Sequence, residues 1–237
     1  MKRKSVVHRI FLGTTRLSGS VCALWLLAGC QHSTGPVMLT PKNVSGASTT
    51  SEWKDVLLSH TRRDEVFDWT DRQVDMRATL VTPHLRQAFR EHRSHFHGRI
   101  ARDMQMDLVA LGQPPDEGPD AATETRPRAE EQVIIYLAFY ASQLAHRDLA
   151  ASYGIWDVRL VRGEASATPV SIEQTRYSPA VKAVFPHADR FDEIYILRFP
   201  MTDRDNGEPF LSPGGAPLEL HVESALAQAR VSWMLEM

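Results

Sequence analysis

Nine consecutive residues, Val133-Ile-Ile-Tyr-Leu-Ala-Phe-Tyr-Ala141, carry no charge. A run this apolar, rich in β-branched and aromatic side chains, reads as a central strand covered on both faces. The rest of the chain must therefore supply a layer on each side of it.

The segments around this run are mostly strand-like. Val74, Met76, Ala78 and Leu80 alternate with Asp75, Arg77 and Thr79, the pattern of a half-buried strand. Trp156–Leu160, Val170–Glu173, Leu218–Glu223 and Ala229–Leu235 alternate in the same way, and Ile194–Phe199 is a second buried strand. The last two alternating runs lie close enough to form a hairpin through Ser224–Gln228. About seven strands with turn signals between them predict a mainly β fold, a two-sheet sandwich. One long helix is inserted after the first strand. Thr82 is placed to cap it, and Pro83 suits its first position, where no N–H is needed. Leu85, Phe89, His92, Phe96 and Ile100 share one face, and the pattern runs on to Leu111 before Gly112, giving a helix over about 83–111.

An alternative comes from an internal similarity. Val74–Phe89 aligns without gaps on Val170–Phe185, with Val, Thr, Pro and Phe matching. Each copy reads as strand, Ser/Thr-Pro cap and helix, followed by an apolar strand. Two such halves would make an α+β fold, although strand-to-helix turns also reuse this chemistry without duplication.

Residues 113–132 hold four prolines and six acidic residues and read as a mobile, solvated loop within one domain. Residues 31–50 are rich in Ser, Thr, Gly and Pro and read as a flexible tether. The folded domain is expected over 51–237, starting with a short helix that carries Trp53, Val56, Leu57 and His60.

The first 29 residues are of another kind. Lys2, Arg3, Lys4, Arg9 and Arg16 form a basic entry with no acidic residue, and an apolar run from Val21 to Ala28 follows. That run falls far short of the ~20 residues that a spanning helix needs. It closes on Leu27-Ala28-Gly29-Cys30, which resembles the lipobox of bacterial lipoproteins. The resemblance implies that residues 1–29 are removed and that Cys30 becomes the first residue, carrying acyl chains such as palmitate. In lipoproteins of Gram-negative bacteria an Asp after the cysteine favours the inner membrane, so Gln31 implies the outer membrane. The domain would then face the periplasm or the outside. Several acyl chains on one residue make a firm anchor, at about 0.8 kcal/mol per buried methylene.

All 29 acidic residues but only 22 of the 27 basic ones follow residue 29, giving that part a formal charge of −7. Such a balance argues against nucleic acid as a partner. With Cys22 removed and Cys30 lipidated, the domain has no disulfide, thiol nucleophile or cysteine ligand. It must be held together by its core.

Few residues point to chemistry. His92 and His95 are three apart on the expected helix, so their rings could converge on a zinc or copper ion, with further ligands from elsewhere. His92 lies on the apolar stripe, where a histidine is more often a hydrogen-bonded core residue. Asp203-Arg-Asp205-Asn-Gly-Glu208 resembles the start of a calcium loop through Asp203 and Asp205, but Gly214 stands where the closing Glu belongs. The alternative is a strand connection turned at Asn206-Gly207. Trp69, Trp156, Tyr195, Phe199 and Trp233 could form a glycan or partner platform, yet most alternate with polar neighbours as core residues do. No nucleophile, phosphate or dinucleotide motif is present, and no cofactor is implied. The expectation is a non-catalytic binding or assembly lipoprotein with an envelope protein partner. The alternatives are a metal or small-ligand carrier using His92 and His95, and an envelope hydrolase.

Overall fold

The computed structural model describes residues 35–40, 50–69, 71–93, 132–151, 153–178, 181–182 and 185–237. In chain order the elements are β1 (Val37–Met38), α1 (Thr50–His60), β2 (Thr61–Asp68), β3 (Asp71–Val81), α2 (Pro83–Arg93), β4 (Gln132–Ala141), β5 (Asp157–Arg162), β6 (Ala165–Ala167), β7 (Ser171–Thr175), β8 (Glu193–Pro200), β9 (Leu218–Glu223), β10 (Gln228–Trp233) and β11 (Leu235–Glu236). The fold is mainly β. Its strands form a five-stranded sheet in the order β2-β3-β4-β8-β7, a four-stranded sheet in the order β10-β9-β5-β6, and the pair β1-β11. All pairings in the two larger sheets are antiparallel.

The apolar run is β4, at the centre of the larger sheet, and period two divides it between two cores. Val133, Ile135, Leu137 and Phe139 join Met76 and Leu80 of β3, Leu197 of β8, Leu220 of β9 and Trp233 of β10 in one buried cluster. Ile134, Tyr136 and Ala138 point the other way, into a second cluster with Trp53 and Leu57 of α1, Leu85 and Phe89 of α2, and Val181 and Phe185. The Tyr136 and Phe185 rings stack with centroids 3.5 Å apart.

The helix start follows the expected chemistry. Thr82 Oγ1 accepts the Leu85 amide at 3.2 Å, which satisfies one of the orphan N–H groups of the first turn. In the similar segment, Ser178 Oγ accepts the Val181 amide at 3.1 Å. The topology places the two segments symmetrically: β3 borders β4, β7 borders β8, and β4 pairs with β8 at the middle of the sheet.

Arg62 ties the start of β2 to two other elements. Its guanidinium donates to the carbonyls of Ser59, Thr61, Ser232 and Gly35, and the side chain is buried. Two residues on, Asp64 accepts the Arg230 amide at 2.8 Å. Side chains of β2 thus cover the backbone of β10, an edge strand that would otherwise offer itself for pairing.

Several expectations need correction. Eleven strands are described where about seven were expected. The additions include β2, whose Thr-Arg-Arg-Asp-Glu start hides any apolar alternation. Val37-Met38 lies inside the stretch read as tether, yet it pairs in parallel with Leu235-Glu236, and Val37 is fully buried. Two residues are too few for a periodic signal. Of the helix expected over 83–111, Pro83–Arg93 is described as helix; the remainder, His95 and the acidic loop before Gln132 lie outside the described residues. So do residues 1–34, including Cys30.

Candidate functional site

The face of the five-stranded sheet turned towards α1 and α2 is apolar on one side and polar on the other. Strand alternation puts Glu65 and Arg63 of β2, Asp75 and Arg77 of β3 and Tyr140 of β4 on this face. Asp75 pairs directly with Tyr140.

Asp75 is the centre of the polar side. It is only 1% exposed, although its place in an alternating strand suggested a solvent-facing carboxylate. Arg63 and Arg72 each donate to Oδ2 at 2.8 Å, and Arg63 Nε reaches Oδ1 at 3.0 Å. Arg77 adds a third guanidinium at 2.5 Å. Burial alone would raise the Asp75 carboxyl; the hydrogen bonds and charges of Arg63 and Arg77 outweigh it and hold the group below its usual range. Arg77 also reaches the loop before β8, donating to the His187 carbonyl and lying 3.4 Å from Asp192. Burial pushes the Asp192 carboxyl up, against a hydrogen bond from the Asp189 amide. Burial and the Arg77 charge bring His187 down to about 4. Arg63 also bonds Glu65 at 2.6 Å, so three guanidinium groups meet three carboxylates. These ion pairs make the cluster a plate that fastens the 187–192 loop to β3.

A strip of alternating arginine and aromatic side chains runs along the rim of this plate. Phe67 pairs with Arg72 across the β2–β3 hairpin. The guanidinium of Arg72 lies 5.1 Å from the Tyr140 ring centroid, and that of Arg147 lies 4.4 Å from it. Arg147 donates to the carbonyls of Ala141 and Phe191, and Arg190 lies 4.7 Å from the Phe191 ring. Cation–π contacts of this kind contribute about 0.5–1 kcal/mol each at exposed sites. Phe67 and Phe191 are more than half exposed.

Trp69 completes the strip at the hairpin tip. It is 97% exposed and has φ of 56°, the one positive φ among described residues other than glycine. The β5–β6 hairpin shows what that position favours. There the two-residue connection starts with Gly163 at φ 58°. A bulky L-residue in the left-handed region costs on the order of 1–2 kcal/mol. Here Trp occupies a glycine position and buries almost none of its ring.

The other sequence candidates fall elsewhere. His92 is buried on the apolar side, its ring stacked 5.4 Å from Trp53. His95 and Cys30 lie outside the described residues. Among the described residues no group of three or more His, Cys, Asp or Glu is arranged to hold a metal ion. Asp203 Oδ1 accepts the amides of Asp205 and Asn206, and Oδ2 accepts the Ser166 amide at 3.0 Å. Backbone donation, from Asp205 first, holds its carboxyl below the usual range. Its oxygens shape the turn at Gly207 (φ 71°) and cover the edge strand β6, while Asp205 is exposed. Of the aromatic candidates, Tyr195, Phe199 and Trp233 are core and Trp156 is half-buried, leaving Trp69 as the exposed one.

Sequence reasoning missed Arg72, Tyr140, Arg147 and Phe191. The available signal was Asp68-Trp-Thr-Asp71, a two-residue connection with an aromatic where turn formers are expected. No protein-family model matches the chain, and no curated protein or solved structure is similar to it.

Proposed function

We propose that the chain is an outer-membrane lipoprotein, anchored through acyl chains on Cys30, whose folded part is a non-catalytic binding or envelope-assembly module. Its two larger sheets read as the layers of a sandwich, because residues of both contribute to one buried cluster. The observation that carries the binding role is the arginine–aromatic strip Phe67–Arg72–Tyr140–Arg147–Phe191. It joins the residue types enriched at protein interfaces and is backed by a salt-bridged plate that keeps it in one arrangement. The Leu27-Ala28-Gly29-Cys30 signal supports the anchor.

Two measurements test this reading. Palmitate labelling should mark the wild-type protein and fail on Cys30→Ser, with the variant leaving the membrane fraction. Crosslinking in living cells, then purification through a C-terminal tag and mass spectrometry, should return a reproducible envelope protein that Phe191→Ala loses. An unlabelled, soluble protein refutes the anchor. A protein that crosslinks to nothing refutes the binding role.

A further inference from the structure

Four connections meet at one end of the two larger sheets. Val74 pairs with Ala141, and Phe139 with Glu193, which brings together the β2–β3 hairpin, the loop after β4 and the entry to β8. The contacts of Arg62 with Ser232 and of Asp64 with Arg230 run β10 antiparallel beside β2, so the β9–β10 turn falls at the same end. Each connection displays an exposed large apolar side chain: Phe67 and Trp69, Leu144, Phe191, and Leu226. Large apolar side chains left exposed together at one end of a fold are candidates for an interaction site.

We propose that this end is a protein-docking surface facing away from the membrane, with the Trp69 indole as the group inserted into an apolar pocket of the partner rimmed by basic residues. The proposal rests on the anchor reading above for its direction. Cys30 and Gly35 are five residues apart, a reach of at most ~18 Å. The Gly35 carbonyl is held by Arg62 near the start of β2. Trp69 lies seven residues further along an extended strand, about 23 Å away. On the anchor reading the lipid is joined to the chain on the Gly35 side of the fold, which favours a partner, not the bilayer, as the occupant of the Trp69 end.

The chemistry of the pocket follows from the tip. Asp68 and Asp71 flank Trp69-Thr70, and the adjacent Arg72 is committed to Asp75 and Glu65, so a pocket that admits the indole meets two carboxylates at its mouth. Tryptophan and arginine are the residue types that most often dominate binding energy, and both are present. The left-handed backbone and the exposure of Trp69 each work against the free fold, as expected of a residue kept for contact with another molecule.

The test places a photoreactive amino acid at Phe67, Leu144 or Val170 of the full-length protein in living cells. Val170 is exposed but precedes β7, at the opposite end of the sheet. The expected result is one protein crosslinked from 67 and 144 but not from 170, with the crosslinked peptide mapping to an apolar pocket bordered by Lys or Arg. Trp69→Asn should cut that product at least tenfold while raising the unfolding temperature, since Asn tolerates the left-handed region. Asp68→Lys/Asp71→Lys should cut it similarly. Equal crosslinking from 170, products with phospholipid alone, or an undiminished product in Trp69→Asn would overturn the proposal. Fractionation of the same cells reads the anchor separately: a soluble wild-type protein with rim crosslinks intact overturns the orientation and leaves the docking surface standing.

Discussion

The hydroxyl of Thr82 sits 2.9 Å from Nε2 of His60, at the junction where α1 ends and α2 begins. His60 Nδ1 faces the Val56 carbonyl at 2.8 Å and so carries the ring proton. Nε2 is then an acceptor, and Thr82 donates to it while accepting the Leu85 amide. The His60 carbonyl in turn accepts the Trp233 indole N–H at 2.9 Å. His60 thus joins the two helices through its neutral imidazole and holds the last long strand through its carbonyl.

This arrangement makes stability depend on pH. Burial, aided by the nearby His84, brings His60 down to about 4 from an ordinary 6.5. The unfolded chain therefore binds more protons than the folded one between these values, and stability falls as pH falls. The contribution is fully present above pH 6.5 and is lost as pH drops through about 4, reaching about 3 kcal/mol for His60. His187, lowered to about 4, acts in the same direction. Urea unfolding at pH 7.5, 5.5 and 4.5 should show a progressive loss that begins before most carboxylates titrate. A flat profile, or a His60 titration near 6.5 by NMR, would sink this account.

Arg62 gives a second test. Four backbone carbonyls depend on one buried guanidinium, and among the described residues no carboxylate is bonded to it. Arg62→Met removes a costly buried charge, but it leaves those acceptors short of donors at about 1–3 kcal/mol for each that water cannot reach. We expect a net loss of about 2–4 kcal/mol in chemical denaturation. Limited proteolysis should also cut earlier near Gly35, as that segment loses its tie to β2. Arg62→Lys should fall between, because an ammonium cannot fork to the same set. A Met variant as stable as wild type would show that the carbonyls find other partners.

The parts of the fold that were legible in the sequence are those where one local rule decides. An uncharged run such as 133–141 favours a central place, and Thr82-Pro83 favours a helix start. The alternating runs that became β3, β5, β7, β9 and β10 follow from period two, and β8 from its apolar run. Other parts depend on distant partners. Arg62 and Arg63 look like solvated charges until Ser232 and Asp75 are brought beside them. Val37-Met38 is a strand because Leu235-Glu236 is there to pair with it. The candidate site was hidden for the same reason: Arg72, Tyr140 with Arg147, and Phe191 come from three separate places in the sequence. Trp69 was visible as an aromatic residue, but its exposure and backbone conformation were not.

Asp75 tests whether the plate beneath the strip matters for binding as well as for stability. Its carboxylate is held below the usual range by Arg63 and Arg77 despite burial, so it stabilises the fold at neutral pH, and that contribution is lost as pH falls through its lowered value. Asp75→Asn keeps the shape but leaves three guanidinium groups facing a neutral amide, and should cost about 3–5 kcal/mol, the range for breaking a buried pair on one side. Asp75→Asn combined with Arg77→Gln removes one of the stranded cations and should recover part of that loss. Arg77 is also the tie to His187 and Asp192, so the double variant should remain folded while amide exchange in 187–192 quickens. If the strip works as a preformed surface, this variant should bind its partner more weakly at unchanged overall fold. Undiminished binding with a loosened loop would mean that the plate serves stability alone.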